Sequence, residues 1–501
     1  MTGSIRKLED VHVGIRDLSE FLTVHDEERV KQTMQRAASL SGLIGARTVW
    51  NINSTAVGGG VAEMLQSMLA FTRGLGIDAR WLVIDGPPEF FQFTKRLHHA
   101  LHGEAGDGSS MGPVQRKLYE DTLRENAVDL SARVQEGDFV LLHDPQTAGL
   151  APELIKLGAH VIWRCHIGHD GSTEHSEQGW EFLRPYLQDV PAIVFSKRSY
   201  APDWCDDERL KIIRPSIDAF SAKNQELDEN TVQSILVQTG LLEGPMPAES
   251  HTQFTRIDGS PGRVERHADV VHLGRPPQRD VPMILQVSRW DPLKDMLGVM
   301  LGFAKMVEAA PDLPAELVLA GPNVHAVADD PEAPAVFEEV LQEWRQLPDL
   351  VRDRVHLANL PTDDVDENAA IVNALQRHAA VVVQKSLLEG FGLTVTEAMW
   401  KGRPMVASAV GGIVEQIDDG KEGYLLDNPR DLDRFAEILE QLLRQPALRE
   451  KMGRAARERV REHFLGIRHL LDYAELLERT GCDSLEDAFV KLIGTEEGLL
   501  A

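Results

Sequence analysis

The chain is short of cysteine, of positive charge and of long apolar runs, and each shortage excludes a class of protein. Three cysteines among 501 residues, Cys165, Cys205 and Cys482, lie far apart and without paired C-x-x-C spacing, so neither a disulfide framework nor a zinc site is indicated. Lysine and arginine total 52 against 79 aspartates and glutamates, a formal charge of −27 that disfavours loose binding to nucleic acid or to an anionic membrane surface. An anionic ligand therefore needs a local concentration of cations. No uninterrupted apolar stretch is long enough to span a bilayer. The opening residues carry no apolar core of signal-peptide length, and the cytoplasm is the expected compartment.

What is present is a hydrophobic content of 43%, enough for two or three domains with proper cores. Short apolar, β-branched runs alternate with longer amphipathic stretches, the pattern of βαβ units and parallel sheets. One series of expected strands covers 47–53, 80–85, 138–143, 160–165 and 192–196; a second covers 283–288, 316–321, 354–359, 380–384 and 404–408. Between the series lies a polar stretch with glycine, proline and histidine and no convincing buried strand, which reads as a linker with an insertion. The charged pattern at 443–464 predicts solvated helices.

In doubly wound sheets ligands sit beyond the carboxyl ends of the strands. There the first half places Asn53, Ser54, three glycines at 58–60, Asp85, His143, Asp144, Arg164, His166, Ser196 and Lys197. The second places Ser288, Arg289, Lys294, Gly321, Asn323, Lys385, Ser386, Glu389, Gly411 and Gly412. Two facing sheets with these ends would share one cleft.

Three constellations carry chemistry. The turn at 56–63 follows a strand and opens a helix, so its backbone N–H groups suit an anion. A tight strand-to-helix connection explains it equally well, and a dinucleotide fingerprint fails because Glu63 occupies the place of the third glycine. Arg289 and Lys294 put two cations directly after a strand, where arginine grips phosphate oxygens with two N–H groups and lysine adds a point charge. An ordinary solvated loop with ion pairs to Asp291 and Asp295 is the bland alternative. The block 386–400 sets Glu389 in a glycine-containing turn and Glu397 eight residues on, about two helical turns beyond the loop. Such a carboxylate pair also suggests a glycosidase, but the glycines and upstream cations call for a phosphate-bearing ligand. Cys165, His166, His169 and Asp170 form a metal set only on paper, since side chains alternate along a strand.

Glu389 to Glu397, with Arg289 and Lys294 upstream, resembles the donor site of family-4 retaining glycosyltransferases, which have the GT-B fold. Segments 50–55, 58–63, 90–95, 163–166, 373–377 and 389–402 resemble the trehalose glycosyltransferring synthases and the related retaining trehalose phosphorylases. The likeness runs from about residue 45 to about residue 465 and is interrupted around 230–280.

It implies an α/β protein of GT-B type, with two Rossmann-like doubly wound domains facing across a cleft. The expected division is an acceptor domain at 1–225, with helices of 460–501 packing back on it, a linker and insertion at 226–280, and a donor domain at 281–459. The implied reaction moves glucose, with retention, from a nucleotide-diphosphate glucose such as UDP-glucose or ADP-glucose onto glucose, giving trehalose. Phosphorolysis of trehalose is the runner-up, and a catalytically silent sugar-binding protein the third reading.

Position by position, the resemblance makes Arg289 and Lys294 the neutralisers of the donor's phosphates, Glu389 the orienter of glucose and Glu397 the holder of the ribose. Gly59, Gly60, Gly390, Phe391, Gly392 and Leu393 complete the donor site. His166 lies near the reacting carbon or the hydroxymethyl group, and Asn53, Arg164 and Asp144 meet the acceptor. The leaving phosphate takes the acceptor's proton, so no protein nucleophile is assigned. No cofactor or metal is obligate, magnesium is admitted as an activator, and the partners are small sugars and a nucleotide, with no nucleic acid or membrane and a homodimer admitted.

Overall fold

The computed structural model describes residues 8–56, 60–106, 108–109, 111–324 and 332–480. The chain divides into two compact units, one formed by 1–216 with 466–501 and the other by 217–465. Among the described residues no helix is long and apolar enough to cross a membrane.

The first unit is built on a seven-stranded sheet: β1 (Glu9–Val11), β2 (Val49–Asn53), β3 (Ala79–Val83), β4 (Phe139–His143), β5 (His160–Cys165), β6 (Ala192–Phe195) and β7 (Leu210–Ile212). Their order is β1-β3-β2-β4-β5-β6-β7, all parallel except β1. The central strands read as unbroken apolar runs because both faces are covered. Along β4, Val140 and Leu142 join one hydrophobic cluster while Phe139 and Leu141 join the other. β6 divides likewise, with Ile193 and Phe195 on one face and Ala192 and Val194 on the opposite one. Helices Pro88–Leu101, Pro113–Ser131 and Glu174–Leu187 bury the first face. Helices Glu27–Ile44, Gly60–Gly74 and Gly466–Thr480 bury the second.

A small hairpin, β8 (Gln253–Thr255) with β9 (Pro261–Arg263), begins the second unit's additions. Its main sheet contains β10 (Asp269–Val271), β11 (Met283–Val287), β12 (Glu316–Pro322), β13 (Val355–Leu360), β14 (Val381–Gln384), β15 (Met405–Ser408) and β16 (Gly423–Leu426), in the order β10-β13-β12-β11-β14-β15-β16. β10 is antiparallel and the others parallel. The chain enters this unit at Ile217 and leaves at Leu465, which form a bridge, with Ile217 N donating to Phe464 O at 2.9 Å.

All ten strands expected from the apolar runs form, within a residue or two at their ends. Residues 226–280 belong to the second unit. Helix Glu229–Gln238 packs on helix Val365–His378, β10 extends the main sheet, and Arg256 grips the carboxylate of Asp364 through two bonds, at 2.9 and 2.6 Å. Asp364 also caps helix Val365–His378, and the guanidinium holds its carboxyl down at about 2. Three-residue strands with mostly exposed side chains leave no alternation to read, which is why this segment looked strandless. Helix Pro446–His463 belongs to the second unit and helix Gly466–Thr480 to the first, while 481–501 fall outside the described residues.

Candidate active site

Each sheet reverses its winding at one place, between β2 and β4 in the first unit and between β11 and β14 in the second. Ligands of doubly wound folds bind at such switch points, outside the carboxyl ends of the strands. Both places carry a polar cluster.

In the second unit the turn after β11 is anchored at both ends. Asp291 caps a short turn by accepting from Leu293 N at 2.8 Å. Asp295 adopts a left-handed φ of 50°, caps helix Met296–Ala309 through Gly298 N at 3.2 Å and pairs with buried Lys385. Leu387 N donates to Leu293 O at 2.8 Å, and Gln286 Nε2 to Lys294 O at 2.7 Å, so the turns after β11 and β14 are bound together. Lys294 Nζ consequently meets Glu389 Oε2 at 2.8 Å, and the two side chains are only 14% and 11% exposed. The same oxygen accepts from Ser386 Oγ at 3.1 Å and Gln384 Nε2 at 3.4 Å.

Glycines set the shape of the next turn. Gly412 N donates to Gly390 O at 2.7 Å, and a Cβ on Gly411 would overlap the carbonyl oxygen of Glu389. Gly392, at φ 77°, starts helix Leu393–Trp400, whose first N–H groups have no intrahelical acceptor and favour an anion. Phe391 is nearly buried, its ring against Phe464 and its carbonyl taken by Gln416 Nε2. Glu397 lies just over one turn into this helix, nearer the loop than the expected two turns. It is 5% exposed, 3.6 Å from Lys223. Arg289 is half-exposed and reaches Asp291 at 3.4 Å.

In the first unit a chain of hydrogen bonds crosses the switch point. A guanidinium offers donors and no acceptor, so the Nε–H of Arg164 donates to His166 Nδ1, at 3.2 Å. The His166 proton therefore sits on Nε2 and is donated to His143 Nδ1 at 3.0 Å. His143 in turn donates from Nε2 to Asn51 Oδ1 at 3.1 Å. Both rings are neutral: burial first, and the Arg164 charge second, push His166 well below the usual range and His143 to about 3. Asp144, at a left-handed φ of 65°, accepts from His166 N at 2.7 Å, and burial pushes its carboxyl up to about 7.

Three expectations for this half change. Arg164 is fully buried, and its guanidinium is spent on His166, on Tyr473 OH at 2.6 Å and on Ile213 O at 3.1 Å, so it supports the site instead of touching an acceptor. Asn53 is buried, accepts from Trp81 Nε1 at 2.8 Å and donates to Thr55 O at 2.6 Å, so both ends of its amide are engaged by protein. His166 has both ring nitrogens engaged by protein, so its ring offers a sugar no free nitrogen. Gly60 begins helix Gly60–Gly74, whereas Gly59 lies outside the described residues. The paper metal set disperses: Cys165 Sγ bonds Ile167 O at 3.2 Å, and Asp170 pairs with Lys197 at 2.6 Å.

Sequence reasoning missed four contributors. Tyr473 comes from 309 residues beyond Arg164 and carries no local signal. Asn51 and Gln384 are strand residues inside apolar runs, where one polar residue is the only hint. Lys223 falls at the end of the expected acceptor domain, beyond the last expected strand of the first series and just before the expected linker.

Two family models match the chain, one described as trehalose synthase, N-terminal domain, over residues 51–202, and the other as glycosyl transferases group 1, over 276–459. A trehalose synthase of Pyrococcus horikoshii is 35% identical over 477 residues, 95% of this chain and 99% of the relative. The chain belongs to the trehalose synthase family. A trehalose phosphorylase of Pleurotus pulmonarius stands farther from it than that family member, at 27% identity over 81% of this chain and 54% of the relative. In fold, the chain is similar to an alpha,alpha-trehalose-phosphate synthase (UDP-forming) from Burkholderia vietnamiensis, with a TM-score of 0.61, 14% identity and coverage of 87% of this chain and 97% of the other. The two Rossmann-like doubly wound units are thus those of a GT-B glycosyltransferase. Within the trehalose synthase family, the matched N-terminal segment contains the His143–His166 chain, and the group 1 segment contains Lys294 and Glu389.

Proposed function

We propose that this protein transfers glucose from a nucleoside-diphosphate glucose to glucose and forms trehalose, with the donor's anomeric configuration retained. The observation that carries the reading is the Lys294–Glu389 pair, a cation and a carboxylate held 2.8 Å apart at the switch point of a glycosyltransferase sheet in a trehalose synthase relative.

The bond from the anomeric carbon to the phosphate oxygen breaks, leaving positive charge on the sugar and negative charge on the diphosphate. The bond to the acceptor oxygen forms, and the acceptor's proton passes to the departing phosphate. Fixed cations favour that separation, and oriented charges of this kind contribute several kcal/mol to lowering a barrier. Lys294 and Arg289 take this part, aided by the N–H groups at the start of helix Leu393–Trp400. Glu389 receives the hexose hydroxyls, and Glu397 the ribose. In the first unit Asp144 is the acceptor residue that this reading retains, because only one of its carboxylate oxygens is bonded to His166 N. No metal is required in this scheme, since the two cations supply the neutralisation a metal provides in other transferases.

The test is to incubate the purified chain with UDP-glucose or ADP-glucose and a panel of simple sugars and identify both products. Trehalose and nucleoside diphosphate in equal amounts are expected with glucose as acceptor. Formation of glucose 1-phosphate from trehalose and inorganic phosphate, with no use of either nucleotide sugar, would replace the synthase reading with phosphorolysis.

A further inference from the structure

The second unit has another concentration of positive charge, at the edge of its sheet opposite Lys294 and Glu389. Pro282, Ala380 and Pro404 immediately precede β11, β14 and β15, and because these strands are parallel the three residues mark its amino-terminal edge. A cavity of about 570 Å³ opens there, lined by all three. Its walls carry six arginines and lysines against two carboxylates, Asp280 and Glu450, in a chain whose net charge is −27.

Ion pairing does not absorb the excess. Among the described residues Arg403 bonds only backbone carbonyls, Lys401 O at 3.1 Å and Ala379 O at 3.0 Å. Arg449 does the same with Leu442 O and Leu443 O, both at 2.8 Å. Arg454 approaches Glu450 only to 3.8 Å, and Arg279 makes no ion pair among the described residues. Lys401 and Arg457 are otherwise occupied, by Asn224 and Glu226 respectively. Burial pushes both Arg403 and the nearby His378 below their usual ranges. A desolvated guanidinium held only by carbonyl dipoles is costly, and an anion in the cavity would offset that cost.

We propose that this cavity is a binding site for a small phosphate-bearing anion, separate from the Lys294–Glu389 site. Guanidinium groups match phosphate oxygens in geometry as well as charge. The cavity falls within the roughly 300–1,000 Å³ of small-ligand sites. The acidity of the chain as a whole opposes a nucleic acid or anionic membrane as the occupant. Occupancy requires no turnover, so the inference stands apart from the proposed reaction.

Calorimetric titration of the full chain with inorganic phosphate, pyrophosphate and glucose 6-phosphate tests it, each repeated with Lys294→Ala and with Arg279→Glu/Arg454→Glu. The wild-type chain and Lys294→Ala should bind at least one of the three at this site with affinities within about twofold of each other. The double charge reversal should weaken that binding at least about tenfold, as loss of charge-assisted bonds does. Tighter binding of glucose 6-phosphate than of phosphate and pyrophosphate makes the ligand a sugar phosphate; equal binding makes phosphate itself the recognised group. Should the charge reversal impair folding, Arg279→Gln/Arg454→Gln provides the same test with a smaller loss. The proposal is overturned if none of the three anions binds, if binding disappears in Lys294→Ala, or if it survives unchanged when both arginines are replaced.

Discussion

Lys294 and Glu389 lie 95 residues apart in sequence and 2.8 Å apart in space, each more than four-fifths buried. A lysine so placed is committed to its carboxylate, which gives the pair structural weight that sequence spacing did not reveal. Removing one member of a largely buried pair leaves the other charge poorly compensated. Lys294→Ala should therefore lose about 1–3 kcal/mol of stability, less than a fully buried pair because Ser386 and Gln384 still bond Glu389. Turnover should fall by about a hundredfold or more. Denaturant unfolding and initial rates measure the two losses. Near-normal turnover in the variant removes Lys294 from the chemistry.

Arg289→Ala separates charge from architecture. Its side chain is 52% exposed and its partner Asp291 stands at 3.4 Å, so the substitution should change stability by no more than about 0.5 kcal/mol. If Arg289 faces the donor's phosphates, the Michaelis constant for nucleotide sugar rises and turnover falls while the unfolding midpoint stays put. A variant with wild-type kinetics assigns Arg289 to the surface alone.

The fold was legible because the chain's two series of apolar runs have both faces covered, and runs such as Val140-Leu141-Leu142 require no tertiary information to be read as buried strands. That Lys294 and Glu389 lie at one end of the sheet was legible because both follow strands that flank the switch point, whereas their ion pair was not, since Asp291 and Asp295 stood nearer in sequence. Arg164 was misread for a physical reason. A charged residue at a strand end looks available to a ligand, and it is consumed by groups that only the fold brings to it, His166, Ile213 O and Tyr473 from far along the chain. Asn53 was lost to Trp81 in the same way, by a cross-strand bond that depends on register.

Asp144→Asn should expose an opposition of pH dependences in the first unit. Asparagine keeps the oxygen that accepts from His166 N and removes only the ionisation. Burial raises the folded Asp144 carboxyl to about 7 from an ordinary value of 3.8, so the folded state holds a proton that the unfolded chain releases between these limits. Stability from this group is therefore complete below the unfolded value and is lost as pH climbs toward 7. His143, lowered to about 3, has the opposite sign: its contribution is present above the unfolded value near 6.5 and is lost as pH falls. The wild-type chain combines both slopes. In Asp144→Asn the falling slope is absent, so the stability difference between variant and wild type should grow in the variant's favour from pH 4 to pH 7. Unfolding free energies at several pH values measure it, and a difference constant across that range rejects the burial of an ionisable Asp144.

Gly411→Ala tests whether the turn that carries Glu389 must be this closely packed. At φ 54° an alanine is already strained, and its Cβ would meet the carbonyl oxygen of Glu389 within bonding overlap, a backbone atom that cannot swing aside. The turn has to open, which breaks the bond from Gly412 N to Gly390 O and moves Glu389 relative to Lys294. The outcome expected is a stability loss of about 1–3 kcal/mol together with a larger proportional loss of turnover, because sub-ångström placement of an orienting carboxylate matters more to the reaction than to the fold. Gly420→Ala is the control: φ is 77° there, yet the added carbon meets nothing within 4 Å, so strain acts without collision. Equal effects of the two substitutions on turnover would show that backbone strain alone is at work and that the contact between Gly411 and Glu389 does not position the site.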